Sequence, residues 1–179
     1  MSDSQSHVSQ FFSSYSYFAL NEDAPPTREF LRLKRLNHWT DNGEEYTEAR
    51  ERFTDALAED FNATYGTDIN NIDHWHALCR ILRIDEVPED ISACRKVWTI
   101  EQDESHIQTS HSFVSAQAVK ARHVNLVDLV YHSDKVQTFP SIKALAKYSK
   151  KHKKIFPKES AKAGGILRYL LRPIFRGGS

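Results

Sequence analysis

Apolar residues recur every three or four positions along most of this chain, with short polar interruptions between the recurrences, which is the pattern of helices joined by loops. In FFSSYSYFAL, Phe11, Tyr15 and Phe18 stand at i, i+4 and i+7 and predict a short aromatic helix, stopped by NEDAPP at residues 21–26. Beyond the double proline, Thr27 is the expected N-cap of a second helix with Phe30, Leu33 and then Leu36 or Asn37 along one side. Residues 41–44, DNGE, have the spacing of a capping box and open the longest periodic stretch. There Tyr46, Ala49, Phe53, Ala56, Leu57 and Phe61 form an apolar stripe, charged residues take the other faces, and Gly66 supplies the stop.

A fourth helix is expected after DINNID, with Trp75, Leu78, Cys79 and Leu82 on its buried side. A fifth is expected from Pro88, burying Ile91, Cys94, Val97 and Trp98. Residues 101–112 are polar and aperiodic and read as an exposed loop. From 115 to 130 a helix through Val119, His123, Leu126, Val127 and Val130 is preferred, although VNLVDLVY is β-branched enough to form a buried strand. A short extended piece is expected near 135–139, followed by a helix from Pro140-Ser141 that turns Ile142, Leu145, Tyr148, His152 and Ile155 inward. Phe156-Pro157 breaks that helix, and a last one runs from Lys158 to Pro173. The expected fold is therefore all-α, a single compact domain of about seven helices over residues 11–175. Residues 1–10 read as a disordered Ser/Gln-rich tail, and 176–179 as a second tail whose GGS resembles a cloning remnant.

Charge adds an asymmetry that periodicity does not show. The 179 residues have a formal net charge of zero, yet residues 1–100 hold 10 Lys+Arg against 18 Asp+Glu while 101–179 hold 14 against 6. The molecule as a whole gives no reason to expect nucleic-acid or membrane affinity, whereas its last third alone can supply it. The N-terminus lacks the basic start and apolar core of a signal peptide, and no apolar run approaches the roughly 20 residues that cross a bilayer. With two cysteines in the chain, the expectation is an intracellular protein, cytoplasmic or nuclear, with reduced thiols and no membrane partner.

Several segments together, FNATYGTD, WHALCRIL, VNLVDLV and TFPSIKALAKYSKKHKKIFPKESAKAGGILRYLLR, resemble a group of uncharacterised fungal hypothetical proteins over most of the chain. The resemblance implies a fungal, intracellular, single-domain protein and carries no activity or catalytic residue with it.

Motifs for chemistry are sparse. His74, His76 and Cys79, with Cys94 fifteen residues on, supply ligand types that zinc takes, but the two histidines point some 200° apart on a helix and no CxxC pair is present. Either cysteine beside a histidine is a possible nucleophile–base pair, yet no glycine-flanked nucleophile elbow occurs, and buried inert thiols are the expectation. Glu44-Glu45 and Glu59-Asp60 read as solvated acidic faces, and His106 and His111 as exposed loop residues. Gly164-Gly165 is followed by Ile-Leu-Arg and not by Lys-Ser/Thr, so no phosphate loop and no cofactor site is expected. The pair instead joins Ala161 as a small-residue patch for close helix packing.

The basic run is the most distinctive surface. Lys143, Lys147, Lys150, Lys151, Lys153, Lys154 and Lys158 form a candidate surface for phosphate or for an acidic partner. The competing readings are simple solvation of an outer helical face, or pairing with the acidic residues 41–60 within the chain or across a dimer. The leading functional expectation is a non-enzymatic module for protein–protein interaction or self-association. A nucleic-acid-binding protein using the basic C-terminal helices comes second, and a small enzyme third.

Overall fold

Helix α3 (Glu44–Tyr65) organises the molecule, because its apolar residues are too numerous for one face. Ala49, Phe53, Ala56 and Leu57 bury in one cluster, and Ala58, Phe61 and Tyr65 in another. The computed structural model describes residues 5–84, 86–98, 123–157 and 160–171. Around α3 these form α1 (His7–Ser13), α2 (Pro26–Leu36), α4 (Ile72–Ile81), α5 (Ile91–Trp98), α6 (Leu126–Tyr131), α7 (Ile142–His152) and α8 (Gly165–Leu171). A two-residue antiparallel ribbon joins β1 (His123–Val124) to β2 (Thr138–Phe139), pairing His123 with Phe139 and Val124 with Thr138. The architecture is thus all-α with one short extended feature.

The first cluster holds α1 and α2 against the N-terminal half of α3. It is aromatic: Phe30 and Phe53 stack with ring centroids 4.4 Å apart, and Phe11 sits 5.4 Å from Phe53. The second cluster places Trp75, Leu78 and Cys79 of α4 and Cys94, Val97 and Trp98 of α5 with Leu129, Ile166 and Leu167. Each of these large side chains contributes roughly 1.5–3 kcal/mol of burial before entropy is subtracted.

Several boundaries differ from the periodicity reading. Residues 7–10, expected in the tail, belong to α1, which is N-capped by Ser6 and anchored through Asp60 of α3. That helix stops at Ser13, so Phe18 reaches the core from the following turn and stacks on Phe12 at 5.3 Å. Helix α2 begins with Pro26 at its first position, and Thr27 caps nothing; its hydroxyl donates to the Lys153 carbonyl instead. No capping box forms at α3: Gly43 is the N-cap, and Asp41 pairs with Lys34. Helix α5 starts at Ile91, where the Asp90 carboxylate accepts the Ala93 amide at 2.8 Å.

The expected helix over 115–130 begins at Leu126. His123 and Val124 precede it as a strand because Asn125, in extended conformation, accepts the Val127 and Asp128 amides and starts the helix there. Residues 101–112 and 115–122 lie outside the described residues. Helix α7 ends at Lys153, whose left-handed φ of 57° terminates it before Phe156-Pro157 is reached. Its predicted inward face is also only partly covered, since His152 and Ile155 are exposed. The last helix starts at Gly165, after a turn at 161–162; Lys158 and Pro173 lie outside the described residues.

Two glycines are demanded by geometry. Gly66 closes α3 at a φ of 79°, and a Cβ there falls 2.3 Å from the His74 ring. Gly164 donates its amide to Asn62 Oδ1 at 3.2 Å, and a Cβ there falls 2.9 Å from the Thr67 side chain. Its neighbour Gly165 donates to the Thr67 carbonyl at 3.0 Å, so the pair docks on the loop between α3 and α4. Ala161, expected in the same contact, is exposed, and the buried alanine is Ala163. Gly164→Leu should therefore cost about 3 kcal/mol or more, a fall of about 6–12 °C in thermal midpoint, while Ala161→Leu leaves it nearly unchanged. Equal midpoints for the two variants in a thermal melt would remove the packing role.

Candidate interaction groove

Helix α7 carries most of the basic run. Ser141 caps it by accepting the Ala144 amide at 3.2 Å. Lys143, Lys147 and Lys150 follow at i, i+4 and i+7 and share one helical face. All three are exposed, as are Lys151 and Lys153. Among the described residues, none of these five forms an ion pair within 4.0 Å.

Lys154 behaves differently and leaves the expected surface. The left-handed turn at Lys153 sends the next residue back over the Tyr148 ring, 5.5 Å from its centroid, toward α6. There Lys154 Nζ donates to Asp128 Oδ1 at 2.5 Å, and the Tyr148 hydroxyl donates to Asp128 Oδ2 at 2.8 Å. Asp128 is 2% exposed, and His132 Nδ1 stands 3.7 Å from it. Burial pulls the Lys154 ammonium toward deprotonation, but the hydrogen bonds to Asp128 and Tyr148 outweigh it and hold the pKa above the ordinary 10.5. Asn125 completes the anchor, donating at 2.8 Å to both the Ser149 hydroxyl and the Lys154 carbonyl.

Held at its C-terminal end in this way, α7 stands off from α3. Between them lies a groove of about 1480 Å³, whose apolar lining includes Leu126, Leu145, Phe156 and Leu171. Glu51 and Asp55 line it from α3, and Lys150 from α7. Helix α7 has no buried residue at all; Ile142, Leu145 and Tyr148 are half-covered and Ala146 is exposed. The basic residues expected to meet the acidic stretch 41–60 within the chain thus face it across an open gap. Lys162 alone bridges to α3, 3.8 Å from Glu59.

The other candidates are spent on structure. Cys79 and Cys94 are fully buried and free; Cys94 Sγ donates to the Pro88 carbonyl at 3.4 Å, and burial pushes the Cys79 thiol up to about 12. A ring nitrogen of His76 lies 2.9 Å from the Pro88 carbonyl and one of His74 lies 3.2 Å from the Asp68 carbonyl. Among the described residues no group of three or more His, Cys, Asp or Glu is arranged to hold a metal ion. None of their helices is long and apolar enough to cross a membrane. His106 and His111 lie outside the described residues. Asp60, read as part of a solvated face, is 6% exposed and accepts from the His7 amide, the Val8 amide and the Tyr131 hydroxyl.

Sequence periodicity missed Asp128 and Asn125, the two residues that place the groove wall. The signal was present as N-x-x-D at 125–128, an Asx cap opening a short apolar run.

Asp128→Asn leaves the Lys154 ammonium without its counter-charge and should cost about 3 kcal/mol in a urea titration at pH 7; adding Lys154→Met should recover part of that loss. Because the folded state raises the Lys154 pKa, the wild-type contribution is fully present below about pH 10.5 and is lost as pH rises through the higher folded value. A double variant no more stable than Asp128→Asn would refute the pairing. For the cysteines, alkylation at pH 8 should be slow in the folded protein and rapid in denaturant. Fast labelling of the folded chain would contradict their burial.

In comparisons with known proteins, no family model, no curated protein and no solved structure matches the chain.

Proposed function

We propose that the protein is a non-enzymatic interaction module that receives a segment of a protein partner in the groove between α3 and α7. The observation that carries this reading is α7 itself, an amphipathic helix without one buried residue, standing beside an apolar groove. An apolar helix edge left in water forfeits the burial that helices of this pattern normally gain. At about 1480 Å³ the groove exceeds the usual size of small-molecule sites and suits a polypeptide segment. The ionisable groups closest to its inner end, Lys154 and Asp128, are already neutralised by each other.

A second reading rests on the five exposed lysines of 143–153, which offer a phosphate-contacting surface for nucleic acid. One experiment separates the two. The intact chain, an Ala146→Glu variant at the exposed groove edge and an Ala63→Glu variant on the exposed side of α3 are used as baits in affinity purification, with and without nuclease. The proposal expects partners that survive nuclease, stay with Ala63→Glu and drop at least about tenfold with Ala146→Glu. Partners retained by Ala146→Glu would overturn the groove, and partners removed by nuclease would favour the second reading.

A further inference from the structure

The two walls of the groove carry opposite charge in the same register. On α3, Glu44, Glu48 and Glu51 stand at i, i+4 and i+7, all exposed, and Asp55 continues the stripe, accepting the Ser160 hydroxyl at 2.7 Å. On α7, Lys143, Lys147 and Lys150 repeat that spacing. Glu51 and Lys150 both line the groove, so each stripe forms a rim of it. Among the described residues, these six side chains make no ion pair with one another or with any other group. Two charged rims of equal length and opposite sign stay apart here because the groove between them is wide and lined with apolar side chains.

Resting on the reading of the groove as a receptor for a protein segment, we infer that its occupant is an amphipathic helix with carboxylates along the edge facing α7 and lysines or arginines along the edge facing α3. Three requirements converge on this chemistry. The apolar lining calls for an apolar face, and helical walls offer side-chain ridges and not a free strand edge. The lysine stripe spans i to i+7, about two turns, and a partner helix repeats at the same rise. The rims call for opposite charges on the two flanks of one occupant. A nucleic-acid strand in the groove satisfies the lysine rim but sets its phosphates against Glu44, Glu48 and Glu51. A uniformly acidic or uniformly basic helix likewise satisfies one rim and is repelled by the other.

The test uses the full chain and three synthetic helical peptides of one length with identical Leu/Ala faces, titrated by fluorescence anisotropy at low salt. One carries Glu on one flank and Lys on the other, one carries Glu on both, and one carries Lys on both; labelled single-stranded RNA is the fourth probe. The segregated peptide should bind about tenfold more tightly than either uniform peptide, about 1.4 kcal/mol. Lys147→Glu/Lys150→Glu makes both rims acidic and should move the preference to the all-Lys peptide. Glu48→Lys/Glu51→Lys should move it to the all-Glu peptide. All these positions are exposed, so the folded state is expected to persist, and circular dichroism checks it.

Equal affinity for the three peptides, or preferences that do not switch with the rims, would overturn the inference while leaving the groove as a receptor. No peptide binding would overturn it too, and the groove reading would fall with it only where Ala146→Glu also keeps its partners. RNA binding that depends on Lys147 and Lys150, without peptide binding, would overturn it in favour of nucleic acid.

Discussion

A buried carboxylate on the central helix is the constraint from which the rest of the arrangement follows. The second half of α3 is enclosed on nearly every side, with Ala56, Leu57, Ala58, Asp60 and Phe61 all buried. A charged Asp60 in that setting is tolerable when its oxygens are fully hydrogen-bonded. The donors come from two distant parts of the chain: the His7 amide at 2.7 Å, the Val8 amide at 3.3 Å, and the Tyr131 hydroxyl at 2.8 Å. The first two are free backbone donors at the start of α1, where negative charge is also favoured by the helix dipole. The third lies at the end of α6, and burial beside Asp60 pushes its phenol well above the ordinary range. One carboxylate thereby fixes the N-terminal helix and α6 on the same stretch of α3.

A second buried carboxylate, Asp128, extends this order outward. With α6 placed by Tyr131, Asp128 has to be satisfied three residues earlier, and the groups that reach it come from α7 and the turn after it. Neither Tyr148 nor Lys154 can do so unless the chain reverses at Lys153, which takes the left-handed conformation that a non-glycine residue adopts at a cost. That turn is supported from both sides, by Thr27 on the Lys153 carbonyl and by Asn125 on the Lys154 carbonyl. Helix α7 is therefore positioned by polar contacts at one end and along one edge. Its apolar edge is left over, and the groove results.

This division explains which features were legible in the sequence. The faces of α3 and α4 could be read because their burial is decided by apolar periodicity alone: Phe53, Phe61, Trp75 and Leu78 are where the spacing puts them. The close contact of Gly164 and Gly165 was legible for a similar reason, since two glycines in an apolar stretch demand a neighbour at short range. The capping box at 41–44 failed because Lys34, from the preceding helix, takes Asp41 away. The tail at 1–10 was misjudged because His7 and Val8 gain order from a partner 52 or 53 residues away. Ile155, placed inward by extending the α7 period, is 57% exposed because the helix has already ended.

The lysines show most sharply why linear charge patterns resolve poorly into function. Lys153 and Lys154 are adjacent and chemically identical, yet one is exposed and the other joins a buried pair with Asp128, and one backbone angle separates those fates. Removing Lys154 from the surface changes the meaning of what remains. The exposed lysines of α7 are no longer a general basic cluster but an ordered stripe along one edge of an apolar groove, opposite an acidic stripe of the same spacing on α3. The excess of acid in the first hundred residues and of base in the remainder thus appears in space as two facing rims. Opposed charges close enough to cover an ion pair would have drawn the walls together; held apart by the Asp128 and Asp60 anchors, they present a surface that only an occupant charged on both flanks can satisfy.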